Sequence, residues 1–292
     1  MKASMNQLHS IRREAVDERR EKFRALHQSE CFVIPNPWDV GSARYLQHLG
    51  FPALATTSAG FAFSQGLPDS DTALSRAQSL AYIAEIAASV ELPVSADFAG
   101  GYGFAPEEVA ESVRLCAATG VAGLSIEDAT GDRTAPLYEL PLAVERIGAA
   151  RRAIDETGGG VLLTARAECF HVGHPDALRE SIRRLQAYAA AGADVLFAPG
   201  LQRADEIKTL VDAVWPRPLN VLVIRDIGLS VSQIAALGVR RISVGGALAL
   251  AAWGGFLRAA RLLRVEGSFA GFDGAASYAE LNALFGAERR ER

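Results

Sequence analysis

The chain has 292 residues, 49% of them apolar, with 30 Lys and Arg against 34 Asp and Glu for a formal net charge of −4. That length suits one large α/β barrel or two smaller domains, and the apolar share is enough for a sizeable core. No basic stripe speaks for nucleic acid, the scattered Cys31, Cys116 and Cys169 follow no metal-binding or paired spacing, and no apolar run has the length of a membrane span.

The first 30 residues are polar and charged, unlike a signal peptide, and their apolar positions Leu8, Ile11, Phe23 and Leu26 suit an amphipathic helix only in the second half. A cytoplasmic location is expected. Short apolar runs then alternate with helical patterns. The strands predicted in order are 31–35, 53–57, 92–97, 122–128, 161–168, 193–199, 219–224 and 241–246. Between them, helices are predicted at 42–49, 74–89, 106–118, 142–156, 175–191, 203–214 and 230–237. Several helix-to-strand joints repeat one pattern, a small or polar residue and then Gly, as in "ATGVAGL" and "AAGADVL". Eight strands that are apolar throughout, each followed by a helix, give a (β/α)8 TIM-type barrel. A doubly wound sheet is the rival, and eight units without a GxGxxG turn count against it. The expected division is a helical extension over 1–30, the barrel over 31–246 and a helical segment over 247–292, which packs on the barrel or on a neighbouring subunit.

In such barrels the chemistry sits at the C-terminal strand ends. Those ends carry "TTSAG" (56–60), Asp97, Glu127 with Asp128, and Arg166 with Glu168. Acids gathered from neighbouring strands are costly unless a cation binds them, and oxygen ligands of this kind suit Mg2+ or Mn2+. Arg166 would face a substrate carboxylate or phosphonate. The small residues Ser58, Ala59 and Gly60 would let backbone N–H groups approach an anion. Glu168 either contacts substrate or orients Arg166, and Trp38 either walls the pocket or packs. Asp97 alone reads equally as a helix cap, Glu127 as a salt-bridge partner of Arg166, and Asp69 as a cap for the helix beginning near Leu74. His171 and His174 read as members of a solvated loop, Asn220 as a residue at the barrel mouth or one paired with backbone, and Cys169 as a packed small residue.

Four stretches, "TTSAGFAFSQGLPD", "PVSADFAGGYG", "GLSIEDATGD" and "LLTARAECF", resemble the isocitrate lyase/phosphoenolpyruvate mutase superfamily in order and position, with the phosphonomutase-like branch nearest. The resemblance implies a barrel with an essential Mg2+, an α-oxycarboxylate substrate, and a C–C or P–C bond made or broken through an enolate-like species. It assigns Asp97 and Glu127 to the metal, Asp69 to the strand-2 loop acid, Arg166 to the substrate anchor, and Thr57, Ser58 and Ala59 to the substrate carboxylate. It also implies a homodimer or homotetramer with exchanged C-terminal helices.

Two departures stand out. Ala99 occupies the position of a second metal-side acid, for which Asp128 is a candidate substitute. The loop "ATGDRTAPLYEL" after strand 4 lacks the Cys, Lys and His that the lyases use. Cleavage of an oxaloacetate-like 2-oxo or 2-hydroxy dicarboxylate, which needs fewer protein groups, is therefore favoured. The alternatives are mutase or phosphonopyruvate hydrolase-like P–C chemistry, and a carboxylate-binding barrel with impaired catalysis.

Overall fold

The computed structural model describes residues 5–70 and 73–287. A long α1 (Met5–Gln28) leads into alternating units: β1 (Phe32–Ile34), α2 (Val40–His48), β2 (Leu54–Ala55), α3 (Ser58–Ser64), α4 (Arg76–Ser89), β3 (Val94–Asp97) and α5 (Pro106–Ala118). The alternation continues through β4 (Gly123–Glu127), α6 (Leu140–Glu156), β5 (Leu162–Arg166), α7 (Ala177–Ala190), β6 (Val195–Phe197), α8 (Ala204–Val214), β7 (Leu219–Leu222), α9 (Val231–Ala236) and β8 (Arg241–Ser243). The tail forms α10 (Ala247–Glu266), a short 3-10 turn (Ala270–Phe272) and α11 (Tyr278–Ala287).

The eight strands are parallel and ordered β1-β8-β7-β6-β5-β4-β3-β2, a nearly closed TIM-like barrel. At the seam between β1 and β2, Ala55 N–H donates to Pro35 C=O at 3.0 Å. Asn36 completes the join: its amide donates to Thr56 C=O at 2.9 Å, and its Oδ1 accepts from the N–H groups of Val244 and Gly245. A buried side-chain amide thus supplies the partners that a strand ladder supplies elsewhere.

Strand alternation divides the residues cleanly. Ala96, Leu124, Ile126, Leu163, Ala165, Leu196, Val221 and Ile242 belong to the apolar layer under the helices. Their neighbours Ser95, Asp97, Ser125, Glu127, Thr164, Arg166, Asn220, Arg241 and Ser243 take the opposite face, which is the lumen. The lumen is therefore far more polar than an apolar-throughout strand reading predicts. Its lower end is closed by an apolar plug of Phe23, Phe32, Ile34, Ala53, Ala122 and Leu162. Phe23 comes from α1, which runs as a single helix from Met5 to Gln28. A Cβ on Gly123 would lie 2.7 Å from the Phe23 ring, so only glycine lets α1 come this close.

Local signals set the helix starts. Asp39 and Ser42 form a capping box for α2, and Ser75 with Gln78 and Ser230 with Gln233 do the same for α4 and α9. Ser75, not Asp69, thus caps the helix predicted near Leu74. α3 is an addition to the expected pattern: the segment read as a small-residue strand end is a helix capped by Thr57. It is pinned by Tyr82 of α4, whose ring stacks on Phe61 with centroids 4.1 Å apart and whose hydroxyl donates to Pro37 C=O.

Candidate active site

The register places Glu127 beside Arg166, and Arg166 beside Phe197, at the C-terminal ends of β4, β5 and β6. Arg166 is the hub. Its Nη1 lies 3.0 Å from Asp97 Oδ1 and 2.9 Å from Glu127 Oε2, and its Nε donates to Glu168 Oε1 at 2.9 Å. The guanidinium carbon stands 5.1 Å from the Phe197 ring centroid, within range of a cation–π contact. Burial alone would lower the pKa of Arg166, but the fields of Glu127, Glu168 and Asp97 outweigh it and raise it further. Three acids around one base leave the cluster with an excess of negative charge, and the Asp97 and Glu127 side chains keep 20% and 11% of their surface exposed at the mouth.

Each acid is held differently. Asp97 accepts at Oδ2 from both the N–H and the hydroxyl of Ser58, at 3.0 and 2.8 Å, while its own N–H donates to Thr56 Oγ1. The Glu127 N–H donates to Ala99 C=O at 3.0 Å. Glu168 is buried, and burial, opposed by Arg166, raises its carboxyl pKa. Of its two readings from sequence, the geometry shows the contact that orients Arg166.

The glycine-rich turn after Asp97 is built for shape. Ala99 has φ 45, Gly101 φ 80 and Tyr102 φ 54, a run of left-handed conformations that is costly outside glycine. Arg146 of α6, fully buried, fixes it. Its Nη1 donates to the carbonyls of Gly103 and Phe104, and its Nη2 to that of Gly100. Tyr138 covers its guanidinium at 4.1 Å.

The other residues singled out from sequence take the following positions. Asp128 does not substitute for an acid at position 99. It is buried and turned away, accepting from Glu168 N–H at 2.8 Å, Arg184 Nη1 at 3.1 Å and Tyr188 Oη at 2.5 Å. The N–H of Gly60 goes to Thr57 Oγ1 and that of Ser58 to Asp97, so these two amides are committed within the chain. Gly60 is needed for packing, since a Cβ there would meet Trp38 Cβ at 3.0 Å and the Thr57 methyl at 2.7 Å. Trp38 is half-buried on that contact, and Ala59 lies in the first turn of α3. Asp69 is exposed in the turn after α3. His171 is exposed in the β5–α7 loop, and His174 Nδ1 accepts from Asp176 N–H. Cys169 is buried, and burial pushes its thiol up to about 11, which suits packing rather than attack.

Asn220 lies neither at the mouth nor on the backbone but inside the lumen. It accepts from Arg241 Nε at 2.8 Å and donates to Ser243 Oγ at 2.9 Å. Arg241 also reaches Thr164 Oγ1 and His27 Nε2. His27 gives its other nitrogen to Phe23 C=O, so Nε2 carries the lone pair that faces Arg241. Sequence reasoning missed Arg241, Arg146 and His27. A signal for the first was present, because Arg241 and Ser243 alternate on one face of their strand.

Among the described residues no group of three or more His, Cys, Asp or Glu side chains is placed to hold a metal ion. Asp97 and Glu127 do bring two carboxylates to one point. This donor set fits Mg2+, which binds one or two carboxylates and takes its other ligands from water and substrate.

Comparison with known proteins places the chain in a family. The phosphoenolpyruvate phosphomutase family pattern matches residues 23–264. A protein of Burkholderia cenocepacia J2315, provisionally assigned as a lyase/mutase, superposes with a TM-score of 0.89 at 48% identity, covering 93% of this chain and 97% of its own. An oxaloacetate decarboxylase of Bradyrhizobium sp. (strain BTAi1) is 30% identical over 231 residues, 77% of each chain. A phosphonopyruvate hydrolase solved with oxalate and Mg2+ superposes with a TM-score of 0.82 at 27% identity, covering 94% of this chain and 96% of its own. Further relatives include an oxaloacetate acetylhydrolase and a 2,3-dimethylmalate lyase. The barrel, with its acids and Arg166 at the strand ends, therefore goes with sequence likeness along most of the chain, which belongs to the phosphoenolpyruvate mutase/isocitrate lyase superfamily.

Proposed function

We infer that the protein is a Mg2+-dependent enzyme that cleaves a C–C bond in a small 2-oxo or 2-hydroxy dicarboxylate of the oxaloacetate type. The observation that carries this reading is Arg166, aimed at the mouth between Asp97 and Glu127 and braced by Glu168. Likeness to an oxaloacetate decarboxylase, and to a hydrolase that binds oxalate with Mg2+, supports it. Arg166 binds a substrate carboxylate, and Glu168 fixes the plane of its guanidinium through Nε. Asp97 and Glu127 are the residues that would hold the ion, with Ser58 keeping Asp97 in its rotamer. When bound, the ion supplies positive charge where negative charge gathers on the substrate's oxo group. Trp38, Thr57, Ser58, Ala59 and Gly60 form the wall on the strand-2 side, and Asp69 belongs to the loop beyond it.

The test is consumption of oxaloacetate with Mg2+ by the wild type and by Asp97→Asn, with the spontaneous rate subtracted. Expected is a loss of at least a hundredfold in the variant, abolition by chelator, and inhibition of the wild type by oxalate. Equal turnover by both proteins would sink the assignment.

P–C chemistry on phosphonopyruvate is the second reading, favoured by the hydrolase likeness. Phosphate release from phosphonopyruvate decides between the two. The helical segment beyond β8 fits exchange between subunits of a homodimer or homotetramer, because Leu250, Phe256 and Phe272 are each at least half exposed. No described helix is long and apolar enough to cross a membrane.

A further inference from the structure

Arg166 does two things that conflict. As a substrate anchor it must turn toward an anion at the mouth, yet its Nη1 is already shared between Asp97 Oδ1 and Glu127 Oε2. These oxygens are the ones a cation would use. The other Asp97 oxygen is occupied by the N–H and hydroxyl of Ser58. A guanidinium nitrogen and a divalent ion cannot both sit within about 3 Å of the same two carboxylate oxygens, since their mutual repulsion at that range is severe. The Nε contact to buried Glu168 is separate and lies on the far side of the guanidinium from Nη1. It can persist while the Nη edge moves.

We propose that Arg166 is an internal competitor for the cation, holding the place between Asp97 and Glu127 until a substrate carboxylate draws it away, so that cation and carboxylate bind cooperatively. This rests on the reading of the site as one for Mg2+ and a small dicarboxylate, and deepens it. Glu168 is the pivot that keeps the guanidinium near the mouth in both positions. Linkage requires the effect to be mutual: the factor by which a carboxylate raises cation affinity is the factor by which the cation raises carboxylate affinity. One consequence is that the acids keep a cationic partner whether or not an ion is bound. Another is that Mg2+ alone binds weakly, because it must first displace an ion pair.

Calorimetric titration of Mg2+ into the wild type and Arg166→Met, each without and with oxalate, tests this. The competing magnesium oxalate complex is included in the fit, and thermal unfolding checks that both proteins are folded. Without oxalate, Arg166→Met should bind Mg2+ about tenfold more tightly than the wild type, about 1.4 kcal/mol. With oxalate, the wild type should gain at least tenfold in Mg2+ affinity and the variant distinctly less. Should the variant bind Mg2+ alone no better than the wild type, or should neither bind it, the competitor role is overturned. Failure of the functional reading looks different: the wild type then ignores oxalate at every Mg2+ concentration, while the two titrations with Mg2+ alone still decide what Arg166 does.

Discussion

His27 illustrates how far one side chain can be moved by its surroundings. Burial, reinforced by the neighbouring charge of Arg241, lowers its pKa to about 3. It is neutral in the folded chain and accepts from a guanidinium whose own pKa burial brings down to about 9. Between pH 6.5 and about 3 the unfolded chain takes up a proton on this imidazole and the folded chain does not. The stability present above pH 6.5 is therefore lost as the pH falls, at about 1.4 kcal/mol per pH unit. Urea unfolding at pH 7.5 and 5.0 should show the wild type losing about 2 kcal/mol more than His27→Gln, which keeps an acceptor but does not titrate. Equal losses in the two proteins would show that His27 is charged in the native state. Nothing near His27 in the sequence announces this. Its partner Arg241 lies 214 residues away, and only closing the barrel brings the two together.

Elements were easier to read than residues. Each of the eight strands follows from an apolar run bounded by glycine or a charged end, and α5 begins and ends where proline and composition place it. The acids at strand ends were legible for the same reason, because a polar residue closing an apolar run is conspicuous. α3 was not, since "TTSAGFAFS" has no helical stripe, and its helix is stabilised by Thr57 and by stacking on Tyr82. The lumen was hidden because inward serines and threonines look unremarkable within apolar runs. The turn after β3 shows the limit most plainly. Its glycines announce a tight path, but the device that enforces that path, Arg146, sits more than forty positions away on α6. Removing it leaves three part-buried carbonyls, those of Gly100, Gly103 and Phe104, without this donor. Arg146→Met should cost about 3 kcal/mol or more in denaturant unfolding, and hydrogen exchange should rise selectively over 98–104. Arg146→Lys, which can satisfy fewer carbonyls, should fall between the two. A uniform rise in exchange across the barrel would instead mean that the turn is not an independent unit.

For the whole molecule, the exposed faces of α10 and α11 make the sharpest forecast. Trp253 packs edge-on against Phe256, with centroids 5.3 Å apart, and yet Phe256 is 59% exposed. A chain that leaves this much aromatic surface on one appendage is expected to cover it with a second copy. Light scattering should give a dimer or tetramer, and Phe256→Glu combined with Leu257→Glu should shift it toward monomer while oxalate binding survives at the barrel mouth. A wild-type monomer at micromolar concentration would refute the forecast.

The plug at the foot of the barrel has a consequence for how the chain is made. Phe23 and His27 precede every strand in the sequence, yet their seat is assembled from β1, β4, β5 and β8. Until Arg241 has been synthesised, α1 has nowhere complete to dock. Its apolar side must wait until the strands up to β8 have been made, at about 5–20 residues per second. α1 thus precedes every strand of its own seat, and a nascent chain stalled before β8 would present that unburied stripe to chaperones.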